Sequence, residues 1–101
     1  MSLRREESEF IFCDLQGAAR FLRKHNSDAA RAFVEAAYDT FDFLAANPGV
    51  GRRRSDLGFD DVRSFRVIGF RRYLVFYKLL PDRIQFWRVL HGARDLPIEL
   101  T

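Results

Sequence analysis

Four arginines and one histidine in the second half of the chain are the residues best suited to act on another molecule: Arg63, Arg72, Arg88, His91 and Arg94. One chemistry they suggest is metal-free RNA cleavage. That reaction needs a general base, a general acid and cations that stabilise a charged phosphorane. The arginines would supply the cations, and His91 is the one candidate for proton transfer. A second proton carrier is missing. Tyr73 and Tyr77 lie inside a strand-like run, and no Tyr, His or Lys follows Asp95. The other chemistry is recognition. Guanidinium groups make planar, bidentate contacts with carboxylate or phosphate and desolvate more easily than ammonium groups. Trp87 would add an apolar anchor beside them. The same five residues, with Trp87, therefore read as a target-contacting surface. For each arginine an internal salt bridge or simple solvation is the ordinary alternative, and His91 serves equally well as an anchor for the tail.

Other chemistries find no support. His25 and His91 are far apart, and Cys13 is alone, so no metal ligand set is expected. Gly49-x-Gly51 is followed by arginines and not by a helix start, so it is no phosphate loop. Cys13 sits in an apolar helical segment, where a buried structural thiol is expected. No cofactor is implied.

The elements that must hold these residues fit one small domain, residues 1–101. Hydrophobic residues make up 48% and include 11 Phe, enough for a core without staples. A lone cysteine rules out an internal disulfide, and with no signal peptide visible a cytoplasmic location is expected. The apolar runs are too short to span a bilayer. Charge is unevenly placed: residues 1–50 carry a net −2 and residues 51–101 a net +5, with arginine supplying ten of the 11 cations in the second half. That half suits an acidic partner.

The pattern predicts a strand near Ser2–Glu7, then a helix from about Ser8 to His25. Ile11, Leu15, Ala18 and Leu22 give its apolar spacing and Ser8 its cap. A second helix starts at Ser27 as N-cap, carries Phe33, Val34, Ala37, Phe41 and Leu44 on one stripe, and stops at Asn47-Pro48-Gly49. The short link at His25-Asn26 makes the pair an antiparallel hairpin. Gly51–Asp56 reads as a basic loop. Three strands follow, near Val62–Ile68, Arg72–Leu80 and Arg83–His91, joined by short turns and hence antiparallel. The expected fold is α+β, in the order β-α-α-β-β-β, with the hairpin on one face of a mainly antiparallel sheet.

Both sheet faces carry large side chains. The second strand of the three shows Tyr73, Val75, Tyr77 and Leu79 on one side and Leu74 and Phe76 on the other. The last strand alternates Ile84, Phe86, Arg88 and Leu90 against Trp87, Val89 and His91. Two helices cover one face, so the other is expected to be buried by a partner. The alternative is that the tail from Asp95 to Thr101 folds back as a lid, but seven residues cover little.

The order and spacing of several motifs carry a resemblance. These are Asp14-Leu15; Asn26-Ser27-Asp28-Ala29-Ala30 with Phe33; Leu44-Ala45-Ala46-Asn47-Pro48 with Gly51-Arg52; Arg63-Ser64-Phe65; Arg72 to Tyr77; Ile84; and Arg88 to Leu96. Together they resemble the RelE/ParE toxin superfamily of bacterial toxin–antitoxin systems over nearly the whole chain. RelE-like members are ribosome-dependent mRNA endonucleases that use basic residues with a C-terminal Tyr or His. This chain keeps Arg63 but lacks the terminal Tyr, and its HGARDL ending looks like the ParE branch, whose characterised members poison DNA gyrase. The resemblance thus implies a ParE-like toxin that inhibits gyrase by binding and is neutralised by a ParD-like antitoxin in a hetero-oligomer. The alternative it leaves is an mRNA interferase acting on ribosome-bound mRNA through Arg63, Arg88, His91 and Arg94.

Overall fold

The computed structural model describes residues 2–93, Leu96 and Leu100. The chain runs through β1 (Arg4–Glu7), α1 (Ile11–Arg23), α2 (Ser27–Ala46), β2 (Arg52–Arg53), β3 (Val62–Val67), β4 (Phe70–Leu79) and β5 (Arg83–His91), with short 3-10 turns at Pro48–Val50 and Ser55–Leu57. The strands form one sheet in the order β1-β5-β4-β3-β2. β1 runs parallel to β5 and every other pair is antiparallel. This is the expected α+β arrangement with one strand added. Arg52 and Arg53, expected in a loop, pair with Ser64 and Arg63 at the sheet edge.

Two helix starts differ from expectation. α2 is capped by Asn26, not Ser27: its extended backbone (φ −165°, ψ 116°) lets the side-chain oxygen accept the N–H groups of Asp28 and Ala29 at 2.8 and 3.3 Å. Ser27 becomes the first helical residue. α1 begins at Ile11, and Phe10 at the N-cap position offers no side-chain cap. Ser8 is held back by β5. Its N–H donates to the Phe86 carbonyl at 2.9 Å, extending the β1 ladder, and its hydroxyl donates to the Trp87 carbonyl; the same hydroxyl accepts the Phe10 N–H at 3.2 Å, the expected cap contact made just before the helix begins.

The main core lies between the hairpin and the sheet. Ile11, Leu15, Phe33, Ala37, Phe41 and Leu44 meet Val75, Tyr77, Ile84, Phe86 and Val89. Phe41 stacks on Phe86 at 4.3 Å between ring centres. Each fully buried Phe or Leu stabilises by about 1.5–3 kcal/mol. Thr40 is the polar exception: fully buried, it donates to the Ala36 carbonyl at 2.7 Å and accepts the Ile68 N–H at 3.0 Å, tying α2 to the β3–β4 turn. Cys13 is exposed, against expectation. It follows Ile11 by two residues, about 200° round the helix, and so points away from the stripe that Ile11, Leu15 and Ala18 bury.

β5 does not alternate as expected. A bulge skips Trp87, so that Phe76 pairs with Arg88 while Tyr77 pairs with Phe86. Ile84 and Phe86 face the helices, and after the bulge so does Val89, whereas Trp87 and Leu90 join the opposite cluster. Arg88 therefore does not share a face with Ile84 and Phe86.

The second face is covered by the chain itself. Leu96 and Leu100 pack with Val62, Phe76 and Leu90, flanked by Leu57, Phe59, Leu74 and Trp87. The expectation that a partner buries this face is overturned. Two leucines four residues apart, with the Leu100 N–H on the Leu96 carbonyl at 2.9 Å, fall on one side of a helical turn, and the Leu57–Phe59 loop supplies the rest. Large exposed apolar groups stand instead on and beside α1: Phe12 is 65% exposed, Phe21 54% and Phe10 44%.

Candidate functional site

The fold divides the arginines into those it uses and those it presents. Arg63, on β3 opposite Tyr77, belongs to the first group. It donates to the carbonyls of Gly51 at 2.8 Å and Gly49 at 3.3 Å, closing the loop that follows α2. The Tyr77 hydroxyl fastens the same loop from below. It accepts the Gly51 N–H at 2.9 Å and donates to the Pro48 carbonyl at 2.8 Å. Gly51 must be glycine here, because a Cβ would overlap the Tyr77 hydroxyl and lie 2.7 Å from ring carbon Cζ. Burial raises the Tyr77 phenol above its ordinary value, opposed by the Gly51 N–H and by Arg63.

Arg54 and Arg88 are also built in. Arg54 is 8% exposed; it grips both carboxylate oxygens of Asp56, donates to Ser64 Oγ at 2.9 Å, and lies over the Phe76 ring. Asp56 is held below the usual carboxylate range chiefly by its hydrogen bond from Arg54. Arg88 donates Nε and Nη2 to the two oxygens of Asp14 at 2.8 and 2.9 Å, under the ring of Phe10. Asp14 also accepts the Val89 N–H at 3.0 Å. β5 has outrun its partner β1 at that point, so Asp14 on α1 satisfies an edge amide that no strand reaches.

Arg72 and His91 come together at the far end of the sheet. With Arg71, Leu74, Gly92 and Ala93 they line a shallow cleft of about 400 Å³, and the Gly92 N–H donates to the Arg72 carbonyl at 2.7 Å. His91 Nδ1 accepts the Ala93 N–H at 3.0 Å, and its ring meets the buried Tyr73 edge-on at 5.1 Å. His91 pairs with Tyr73 and Arg63 with Tyr77, so the two candidates stand four residues apart along β4, about 13 Å. Trp87 lies on the other face, edge-on to Phe59 with Lys78 Nζ 4.7 Å from its ring centre. Arg94 lies outside the described residues. The predicted set is therefore not one site. Arg72 and His91 share a cleft, while Arg63, Arg88 and Trp87 serve three other places.

What the surface presents is a set of cations spread over both sides of the sheet, Arg52, Arg66 and Arg72 on the side of Phe76 and Arg53 and Arg71 on the side of Tyr77. Arg52 and Arg53 on the edge strand, Arg66 on β3, and Arg71 and Arg72 on β4 are all exposed. Arg52 is tied loosely to Asp56 at 3.2 Å. Such cations attract carboxylates or phosphates. Around the cleft stands one imidazole with one nitrogen already engaged. Sequence reasoning missed Arg54 as a buried group and Gly51–Tyr77 as an anchor. The signal for the second was the motif Pro48-Gly49-x-Gly51 followed by a tyrosine on an inward strand position. Among the described residues no cluster of three or more His, Cys, Asp or Glu could hold a metal ion.

This geometry has known counterparts. Residues 13–96 match the family described as the ParE toxin of the type II toxin–antitoxin system parDE. Among solved structures, the fold is similar to a chain described as the chromosomal ParDE toxin–antitoxin system from P. aeruginosa, with a TM-score of 0.72 and 17% identity over 89% of this chain and 96% of that one. No curated protein matches in sequence. Among the described residues no helix is long and apolar enough to cross a membrane. The family match runs from the first turn of α1 to Leu96 and takes in both helices and every strand after them, and the chain accordingly belongs to the ParE toxin family of type II toxin–antitoxin systems.

Proposed function

We propose that the protein inhibits DNA gyrase by binding and is neutralised by a ParD-like antitoxin. One observation supports binding over catalysis above the others: of the residues an RNA-cleaving reading needs, those described are engaged in structure. Arg88 is clamped by Asp14, Arg63 by two loop carbonyls, and His91 Nδ1 by the Ala93 amide. The exposed Arg53, Arg66, Arg71 and Arg72 remain available to an acidic protein surface. Family membership supports the antitoxin, and the similarity to a chain described as part of a ParDE system agrees with it. A toxin with this target works in the cytoplasm.

The test is supercoiling of relaxed plasmid by gyrase with purified protein. Inhibition is expected, and reversing Arg71 and Arg72 to Glu should weaken it about tenfold or more without moving the melting temperature. Full supercoiling at saturating protein refutes the proposal. Cleavage of ribosome-bound mRNA that His91→Ala abolishes would refute it in favour of the endonuclease.

A further inference from the structure

Strands β2 to β5 carry eight arginines and one lysine and not one Asp or Glu. Cations on a sheet ordinarily face carboxylates on the neighbouring strand; here no strand from β2 to β5 supplies one. On the side of Phe76, Arg52, Arg66 and Arg72 fall in one diagonal file. Arg52 stands opposite Ser64, two residues from Arg66, and Arg66 stands opposite Leu74, two residues from Arg72. Diagonal neighbours of this kind are about 7–8 Å apart. Arg72 keeps its side because Tyr73 is buried against the hairpin and the Gly92 N–H holds the Arg72 carbonyl at 2.7 Å. Arg66 and Arg72 are exposed and form no ion pair among the described residues; Arg66 leans over the Phe65 ring, 5.3 Å from its centre. Arg52 has one loose contact, to an Asp56 oxygen at 3.2 Å, and Arg54 holds that same carboxylate.

Guanidinium groups evenly spaced along a line suit a ligand whose charges are evenly spaced too. An acidic protein surface is the poorer match for this file. Protein interfaces are anchored by large apolar and aromatic side chains, and among the described residues this side of the sheet exposes none. Of the large exposed apolar groups five stand on or beside the helices and two in turns, and Leu79 pairs with the core residue Ile84 on the hairpin side. A phosphate backbone needs no such anchor, because its binding comes from neutralised charge and released counterions. We propose that Arg52, Arg66 and Arg72 bind the phosphate backbone of duplex DNA without reading its sequence. Arg53 and Arg71 face the other way and stay available to a protein. The DNA contact does not depend on which enzyme is the toxin's target.

The test is fluorescence anisotropy of a labelled duplex of about 20 bp and arbitrary sequence, titrated with the purified protein between about 50 and 200 mM salt. Two to three phosphate contacts should give a dissociation constant of about 10⁻⁴–10⁻⁶ M near physiological salt, and a slope of log affinity on log salt of about −2 to −3. Arg66→Gln with Arg72→Gln should flatten that slope by about two and weaken binding about tenfold or more at the low-salt end. Arg20→Gln with Arg23→Gln removes the same charge from exposed positions on α1 and should leave affinity within about twofold of wild type. All four sites are solvent-facing, so both variants should melt as wild type does. Equal losses in the two double variants overturn the proposal, because net charge alone would then account for binding. A wild-type slope near zero overturns it as well. A polyglutamate peptide of equal charge that competes as well as unlabelled duplex overturns it in favour of an acidic protein partner. A single-stranded RNA that binds more tightly than the duplex overturns it in favour of the endonuclease. Neither gyrase nor antitoxin enters these measurements, so failure of the target reading and failure of this one appear in separate assays.

Discussion

Replacing Tyr77 by Phe removes one oxygen from the loop anchor and leaves the ring where it is. The lost hydroxyl is the acceptor for the Gly51 N–H, which is buried, and the donor to the Pro48 carbonyl. A buried amide left without a partner costs about 1–3 kcal/mol. The half-buried Pro48 carbonyl adds less, since water reaches it. For a domain of this size each kcal/mol moves the melting temperature by about 4–8 °C, so a fall of about 5–20 °C is expected. Urea melts should show the midpoint drop at unchanged slope. The penalty should also depend on pH. Burial raises the Tyr77 phenol, so in the folded state it keeps its proton above 10.0, its ordinary value. Its contribution is therefore complete below about pH 10 and is lost as pH climbs through the raised folded value, because the unfolded chain ionises first. The gap between wild type and Tyr77→Phe should narrow above pH 10. A difference under about 0.5 kcal/mol at neutral pH, the range of an ordinary surface change, refutes the anchor. Gly51→Ala probes it from the other side. Its Cβ would lie 2.7 Å from Tyr77 Cζ and 2.8 Å from Cε1, so Tyr77→Phe should relieve the overlap in part, and the double variant should lose less than the two single losses added.

Asn26→Ala should cost about 1 kcal/mol by removing the α2 cap, whereas Ser27→Ala should stay within about 0.5 kcal/mol; thermal melts of the two variants decide between the caps. Arg54→Met keeps the apolar stem over Phe76 and strands Ser64 Oγ, so urea melts should show a loss of about 1–3 kcal/mol that Ser64→Ala largely recovers in the same background. Arg54 depresses Asp56, so the stability from that pair is present above 3.8, the ordinary value, and is lost as pH falls through the lowered folded value. An acid titration of stability should show a smaller fall in Arg54→Met than in wild type, since Arg52 still acts on Asp56.

Periodicity carried the fold well because it reports local geometry. The stripe Phe33, Ala37, Phe41 and Leu44 is fully buried, and three strands lie within two residues of their expected ends. The misses arise where a distant residue decides. Ser8 does accept the Phe10 N–H on its hydroxyl, but the helix proper starts only at Ile11 because Phe86 and Trp87, nearly 80 residues on, hold Ser8 in the sheet. The β5 alternation breaks because one extra residue, Trp87, is accommodated against Phe76, which no single strand can reveal. The second sheet face reads as bare because a seven-residue tail is short, yet the spacing of its leucines counts for more than its length. Leu96 and Leu100 suffice because they fall on one side of a helical turn.

The candidate site was legible only as a composition, and for a physical reason. An arginine's role depends on whether a carboxylate or carbonyl stands within reach, and those partners come from anywhere in the chain. Asp14 meets Arg88 across 74 residues, and Glu6 meets Arg83 across 77. Arg54, Arg63, Arg83 and Arg88 are thereby tied to groups of the protein itself. The +5 of the second half thus overstates what a partner meets. Arg53, Arg66, Arg71 and Arg72 remain exposed and without an ion pair among the described residues. They lie along β2, β3 and the start of β4, Arg53 and Arg71 on the hairpin side of the sheet and Arg66 and Arg72 on the other. An antitoxin that neutralises by covering these cations should lose affinity on Arg71→Glu with Arg72→Glu and show less dependence on salt, whereas one that blocks the target by bulk from elsewhere on the molecule should bind that variant as it binds wild type.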